Sequence, residues 1–180
     1  MRVIAGSARG RRLQGPPGDD TRPMMDRVKE ALFSSLGARV VDARVLDLYA
    51  GSGALGIESL SRGASSVVFV ERGRAALATL RGNLEALGFE GRVVAGDVGS
   101  FLAADVDAYD LVFVDPPYRL SLALVGEVLE GAAALLANGG TMVLHRRAGE
   151  SAPDAPAGTT RIDDRRYGTT QLWIYQKDES

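Results

Sequence analysis

The sequence predicts an α/β domain: a mostly parallel sheet of seven strands, covered by helices on both faces and finished by an antiparallel edge hairpin. Two observations carry this reading. From Val45 onward, near-continuous apolar runs alternate with helical stretches, the pattern of parallel strands buried on both faces. After Arg147 the alternation stops, and a polar proline-glycine loop leads into two runs joined by a Tyr-Gly-Thr turn.

Each element has its own signal. The first twenty residues read as a small β-hairpin or arm, with "RVIAG" as one strand, "GRRLQG" as its return and "GPPGDD" as a closing loop. Residues 21–180 form the main domain. Its first helix is "RPMMDRVKEALFSSLG", with Pro23 near the first turn and Val28, Leu32 and Leu36 at helical spacing. Gly37 follows as the C-cap. The parallel strands are "VLDLYA", "SVVFVE", "RVVAGD", "YDLVFVD" and "GGTMVLHR". Between them lie the helical stretches "GALGIESLSRG", "RAALATLRGNLEALG", "VGSFLAA" and "LALVGEVLEGAAALLANG". "AGESAPDAPAG" is the loop, and "TTRIDDRRYGTTQLWIYQK" the edge hairpin, with Trp173 in its core.

A chain of 180 residues, 46% of them hydrophobic, is suited to one core and not two. It has no cysteine, so a disulfide framework and a thiolate metal site are both excluded, and no other cluster resembles a metal site. "MRVIAGSARGRR" lacks the apolar segment of a signal peptide, and no run is long enough to span a bilayer, so a cytoplasmic monomer is expected. Net charge is −2, but its distribution is uneven: the first twelve residues carry +4 and the rest −6. Arg2, Arg9, Arg11 and Arg12 therefore make a basic arm on an acidic body, which suits an anionic partner met at one place. The chain also uses arginine over lysine throughout, nineteen to two, so composition alone can produce such a cluster.

Open α/β sheets bind ligands at the carboxyl ends of their strands. The first end carries Asp47 and then Gly51-x-Gly53-x-x-Gly56, a glycine turn between strand and helix. Glu71, at the second strand end and twenty residues past Gly51, is placed to accept hydrogen bonds from two ribose hydroxyls. The turn alone would also fit NAD. Asp47 alters the balance, because a carboxylate beside the turn repels a pyrophosphate but favours the amine and sulfonium of S-adenosylmethionine. Asp97, ending the third strand, fits an adenine amino group, with the Val98 N–H on a ring nitrogen.

The fourth strand leaves the core on Asp115-Pro116-Pro117-Tyr118, which resembles the motif of methyltransferases acting on exocyclic amines of nucleobases. Such an amine is a poor nucleophile because its lone pair is delocalised into the ring. Asp115 and the Pro116 carbonyl can each accept one of its hydrogens and hold nitrogen in line with a methyl donor. The prolines stiffen the turn and offer no competing N–H. Tyr118 provides a face on which an extruded base stacks. His145, the one histidine, reads as a strand-end surface residue rather than a catalytic base.

With "RVIAGSARGRRL", "TRPMMDRVKEALFSSL", "DLYAGSGALGIESLSRGA" and "VFVDPPY" in view, nearly the whole chain resembles the RsmD-type methyltransferases. The resemblance implies the Rossmann-like class I fold and transfer of methyl from S-adenosylmethionine to guanine N2 in 16S ribosomal RNA. It implies an assembled or assembling 30S subunit as the substrate particle. On the same likeness, Asp47, Gly51, Gly53, Glu71 and Asp97 hold the cofactor, Asp115 to Tyr118 hold the base, and Arg22 and Arg27 join the arm in contacting RNA. The family usually has Thr where this chain has Met24, so a hydroxyl contact made there has no counterpart. Without the likeness, the residues leave adenine N6 in RNA or DNA open, and more remotely an NAD-dependent oxidoreductase. A chain with only a short arm for recognition suits a substrate that already presents its base.

Overall fold

The computed structural model describes residues 1–15 and 25–179. Among these, seven strands run as β1 (Arg44–Leu48), β2 (Ser66–Glu71), β3 (Arg92–Ala95), β4 (Tyr109–Val114), β5 (Leu136–Arg147), β6 (Thr159–Tyr167) and β7 (Thr170–Lys177). The helices are α1 (Asp26–Leu36), α2 (Ala54–Ser61), α3 (Arg74–Leu87), α4 (Val98–Ala104) and α5 (Leu122–Ala134). The strands join in one sheet, β3-β2-β1-β4-β5-β7-β6, in which only β7 and β6 pair antiparallel to their neighbours. No helix among the described residues is long and apolar enough to cross a membrane.

Strand alternation divides the core in two. Val45, Phe69, Leu111, Phe113 and Val143 face α1, α2 and α3. Leu46, Leu48, Val70, Val112, Val114 and Leu144 face α4 and α5. Both faces are therefore apolar, which is why these strands read as unbroken hydrophobic runs. Trp173 is buried with the second group, as its place in the hairpin predicts.

One element differs from the sequence reading. The fifth helix ends at Ala134, and Leu136 already pairs with Tyr109 as the start of β5, earlier in the chain than expected. Alanine and leucine suit either state. The open edge of β4 claims them, and an irregular register between Tyr109 and Leu111 absorbs the mismatch. In the arm, Arg2 and Arg12 make one antiparallel bridge, and Val3 N–H to the Arg11 carbonyl (2.9 Å), Gly10 N–H to the Val3 carbonyl (2.9 Å) and Leu13 N–H to the Met1 carbonyl (3.0 Å) join its two sides as a short hairpin.

Donors that do not pair across the arm go to α2. Glu58 accepts from the N–H groups of Ile4 (2.8 Å) and Ala5 (3.1 Å), while Ser61 accepts from those of Ser7 and Ala8. Gly6 sits so close that a Cβ there would lie 1.7 Å from the Ser61 carbonyl oxygen. Val3, Ala8 and Leu13 are buried in the domain core, so the arm is packed onto the body. The start expected for the first helix, at Pro23 and Met24, lies outside the described residues.

Glu58 is the anchor of this contact. It is fully buried, 3.3 Å from the fully buried Lys29 Nζ and 2.8 Å from Arg62 Nε. Lys29 also donates to the Arg2 carbonyl at 2.6 Å. Burial pushes the lysine below its ordinary range, against the pull of Glu58. Removing one partner of such a pair strands the other charge. Glu58→Ala should therefore lower stability by about 3–5 kcal/mol, and Lys29→Met with Glu58→Met by less. Urea unfolding followed by the fluorescence of Trp173 measures both.

Candidate active site

The carboxyl ends of β1, β2, β3, β4 and β5 open onto one cavity of about 480 Å³, within the roughly 300–1,000 Å³ usual for small-molecule sites. Asp47, Gly51, Glu71, Asp97, Val98 and Asp115 to Tyr118 all line it. Gly53 sits behind the turn rather than on the cavity. It has φ +86°, and a Cβ would stand 2.4 Å from Leu80, so only glycine lets the turn settle against α3.

Asp47 is only 1% exposed, and its Oδ2 accepts the Gly56 N–H at 2.9 Å. Burial pushes its carboxyl well above the usual carboxylate range. The Gly56 hydrogen bond opposes this, and the charges of Asp115 and Glu71 add to it. Glu71 spans the mouth of the turn, accepting from Gly51 N–H (2.9 Å) and Gly73 N–H (2.6 Å). Its charge is thus tied to the turn it was expected to complement. Asp97 caps α4 by accepting from Ser100 N–H at 3.2 Å, and Val98 is the first helical residue, whose N–H has no intrahelical acceptor.

Tyr49 was missed by the sequence reading. It lines the cavity with φ +61°, a left-handed conformation that is uncommon for a non-glycine residue, and burial raises its hydroxyl's pKa. Nothing in the strand pattern distinguishes it from an ordinary strand-end aromatic.

At the fourth strand end, Pro116 is buried and Tyr118 is 38% exposed. His145 is not the surface residue expected. It is buried, with Nδ1 2.7 Å from Asp115 Oδ1 and Nε2 3.4 Å from the Tyr118 hydroxyl. The pairing of Val114 with Leu144 puts Asp115 and His145 side by side one residue on, an inter-strand register that the local pattern does not give.

Arg146 was missed as well. Only 2% exposed, it donates to the carbonyls of Pro117 (3.1 Å), Tyr118 (3.3 Å) and Leu120 (3.0 Å) and to Glu150 (2.7 Å). It holds the shape of the whole loop. The guanidinium carbons of Arg147 and Arg146 lie 5.2 and 5.9 Å from the Tyr118 ring centroid.

The arm's arginines gather elsewhere. Arg2, Arg9 and Arg27 line a second cavity of about 370 Å³ with Asp26 and Glu30. Arg12 is exposed, and Arg11 donates to the Ala86 carbonyl at 2.7 Å. Arg22 lies outside the described residues, as does Met24.

The family profile described as "Conserved hypothetical protein 95" matches residues 1–176. Ribosomal RNA small subunit methyltransferase D of Escherichia coli K12 is 36% identical over 185 residues, covering 99% of this chain and 90% of that protein. The chain belongs to the RsmD family. Among solved structures, a methyltransferase described as yhhF from Escherichia coli covers 100% of this chain and 99% of its own at TM-score 0.89 and 36% identity. A hypothetical protein of Thermus thermophilus matches at 0.85 and 32%, with 100% and 99% covered. This RsmD-family chain has the class I S-adenosylmethionine-dependent methyltransferase fold.

A carboxyl raised on folding costs stability once pH exceeds its unfolded value of about 4. The ligand-free protein should therefore lose stability as pH rises from there toward the folded pKa of Asp47. Asp47→Asn should remove that loss and add about 1–2 kcal/mol at pH 7, while weakening binding of a cationic ligand. Thermal unfolding against pH, with and without S-adenosylmethionine, measures both effects.

Proposed function

We propose that the chain transfers a methyl group from S-adenosylmethionine to the exocyclic N2 amine of a guanine in 16S ribosomal RNA, presented by the 30S subunit or its precursor. One observation carries this: Asp115-Pro116-Pro117-Tyr118 opens onto the same cavity as Glu71 and the buried, under-compensated Asp47.

The residues fit the cofactor. Asp47 sits in a cavity that lowers the cost of its charge only if a cation enters, and the amine and sulfonium of S-adenosylmethionine are cations. Gly51 and Gly53 shape the turn around it. Glu71 keeps lone pairs for two hydroxyls beyond its two backbone donors. Asp97 and the Val98 N–H, which line the same cavity, are assigned to the adenine edge. An NAD pyrophosphate would bring anions against Asp47 instead. When bound, S-adenosylmethionine supplies an electrophilic methyl on sulfur. Asp115 and the Pro116 carbonyl then hold the two amine hydrogens, drawing nitrogen toward tetrahedral geometry. The nitrogen lone pair forms the N–C bond, the C–S pair leaves with sulfur, and one amine proton departs to Asp115 or water. Tyr118 offers the stacking face, and Arg2, Arg9, Arg11, Arg12 and Arg27 contact phosphates that position the RNA.

The direct test supplies small subunits from cells lacking the enzyme with purified chain and labelled S-adenosylmethionine, and locates the methyl by mass spectrometry. N2-methylguanine at one position supports the reading, whereas N6-methyladenine or no transfer overturns it. Asp115→Ala should lose most transfer while cofactor affinity stays near wild type. Asp115→Asn keeps an acceptor oxygen but not the charge that steadies positive charge developing on nitrogen. It should retain measurable kcat, and single-turnover assays separate the two.

The arm makes a separate prediction. Replacing Arg9 and Arg12 by Ala should weaken RNA binding and reduce its salt slope by about 1–2, since each phosphate contact releases about 0.9 counterion. Cofactor affinity should hold, as neither side chain lines that cavity. Filter binding across a salt series gives the slope.

A further inference from the structure

We infer that His145 is a positioning residue of the transfer reaction: its Nδ1–H, donated to Asp115 Oδ1, turns the carboxylate so that the other oxygen faces the substrate amine. The inference rests on the methyl-transfer reading above. The contact is 2.7 Å long and the histidine side chain is 5% exposed. The Tyr118 hydroxyl lies 3.4 Å from Nε2, and the two rings meet edge-on at 6.0 Å.

The chemistry of the partners fixes the tautomer. An ionised carboxylate only accepts, so a neutral imidazole must carry its proton on Nδ1. Nε2 then has a lone pair and accepts from the Tyr118 hydroxyl. One neutral ring thereby sets both side chains of the motif that would meet the base, the acid and the aromatic. It takes no part in the covalent change itself.

Protonation changes this arrangement. The imidazolium keeps the bond to Asp115, but Nε2 becomes a donor and can no longer accept from Tyr118. A full positive charge also then faces the carboxylate whose negative charge the transition state uses. The neutral form is the productive one, so transfer should rise with pH as His145 loses its proton. The groups facing the ring are Asp115 and Tyr118 from the β4 loop, Arg146 on its own strand, and the apolar Leu172 across on β7. Arg147 and Glu150 act on it through Tyr118, and Asp47 through Asp115. Burial pushes the imidazole down and Arg146 assists, but the charge and hydrogen bond of Asp115 outweigh them and leave it above its ordinary value.

His145 is the sole histidine, so the imidazole signals of the intact chain, made without added histidines, report on it alone. NMR titration should give a midpoint above about 6.5, an Nδ1-protonated neutral tautomer, and a lower midpoint in Asp115→Asn. In steady-state transfer, His145→Ala should lower kcat on the order of tenfold with little change in KM for S-adenosylmethionine. His145→Asn places an amide N–H where Nδ1 stood, so it should recover part of the lost kcat and lack the acid limb of the wild-type pH profile. If the alanine variant does not fold, the asparagine variant and the titration still decide. An Nε2-protonated ring whose midpoint ignores Asp115→Asn overturns the inference, as do one kcat and one pH profile shared by wild type and both variants. Failure of wild type to methylate RNA overturns the proposed reaction instead, and the titration still judges the imidazole–carboxylate contact.

Discussion

Three carboxylates must share one sheet edge, and much of the site is the solution to that constraint. Asp47, Glu71 and Asp115 end the adjacent strands β1, β2 and β4, and at Asp47 burial and then the charges of the other two oppose ionisation. Each is met by local donors: Gly56 N–H for Asp47, Gly51 and Gly73 N–H for Glu71, and the His145 ring for Asp115. The glycine turn is therefore electrostatic as well as steric, since the backbone it bends supplies the N–H groups that hold two of the acids. Compensation is incomplete at Asp47, where burial still dominates. Arg72, Arg74 and Arg119 also line the cavity, so it is the acid at the turn, not the net charge of the cavity, that favours a cationic ligand there over a phosphate.

The parallel sheet and its strand ends were legible in the sequence because both depend on local pattern. Apolar runs such as Leu111 to Val114 identify a buried strand wherever it pairs, and Asp47, Glu71, Asp97 and Asp115 stand where such runs stop. His145 and Arg146 were not legible because their roles exist only through register. Once Val114 pairs with Leu144, one lands beside the acid and the other beneath the loop carbonyls. The arm's docking was hidden for a related reason. In "RVIAG", Val3 pairs with Arg11 as a strand would, but Ile4 and Ala5 donate to Glu58, far along the chain on α2. The start of β5 at Leu136 shows tertiary pairing overriding an alanine-leucine run that suits a helix equally well.

The same packing ties the arm to the cofactor turn. Asn83 on α3 accepts from Gln14 N–H at 2.9 Å and donates to the carbonyls of Gln14 and Ser52, each at 3.0 Å. A buried amide thus bridges the end of the arm and the middle of the glycine turn. Together with the Glu58 anchor, this ties residues 1–15 of the arm to the body. This docking brings Arg2 and Arg9 beside Arg27 of α1, so phosphate contacts made there would set the register of an RNA relative to the cavity.

Preorganisation of the Asp115–Tyr118 loop reduces what must be ordered when a base binds. A flipped base must be stacked, its amine oriented and its methyl donor aligned, and each freedom left to the protein adds to the barrier. Two prolines restrict the backbone after Asp115, and Arg146 fixes the carbonyls of Pro117, Tyr118 and Leu120 from beneath. Glu150 in turn holds Arg146, so the buried guanidinium is neither unpaired nor free to rotate. Arg147 stands over the Tyr118 ring and His145 against its edge. The loop that would receive the base is then ordered before any base arrives.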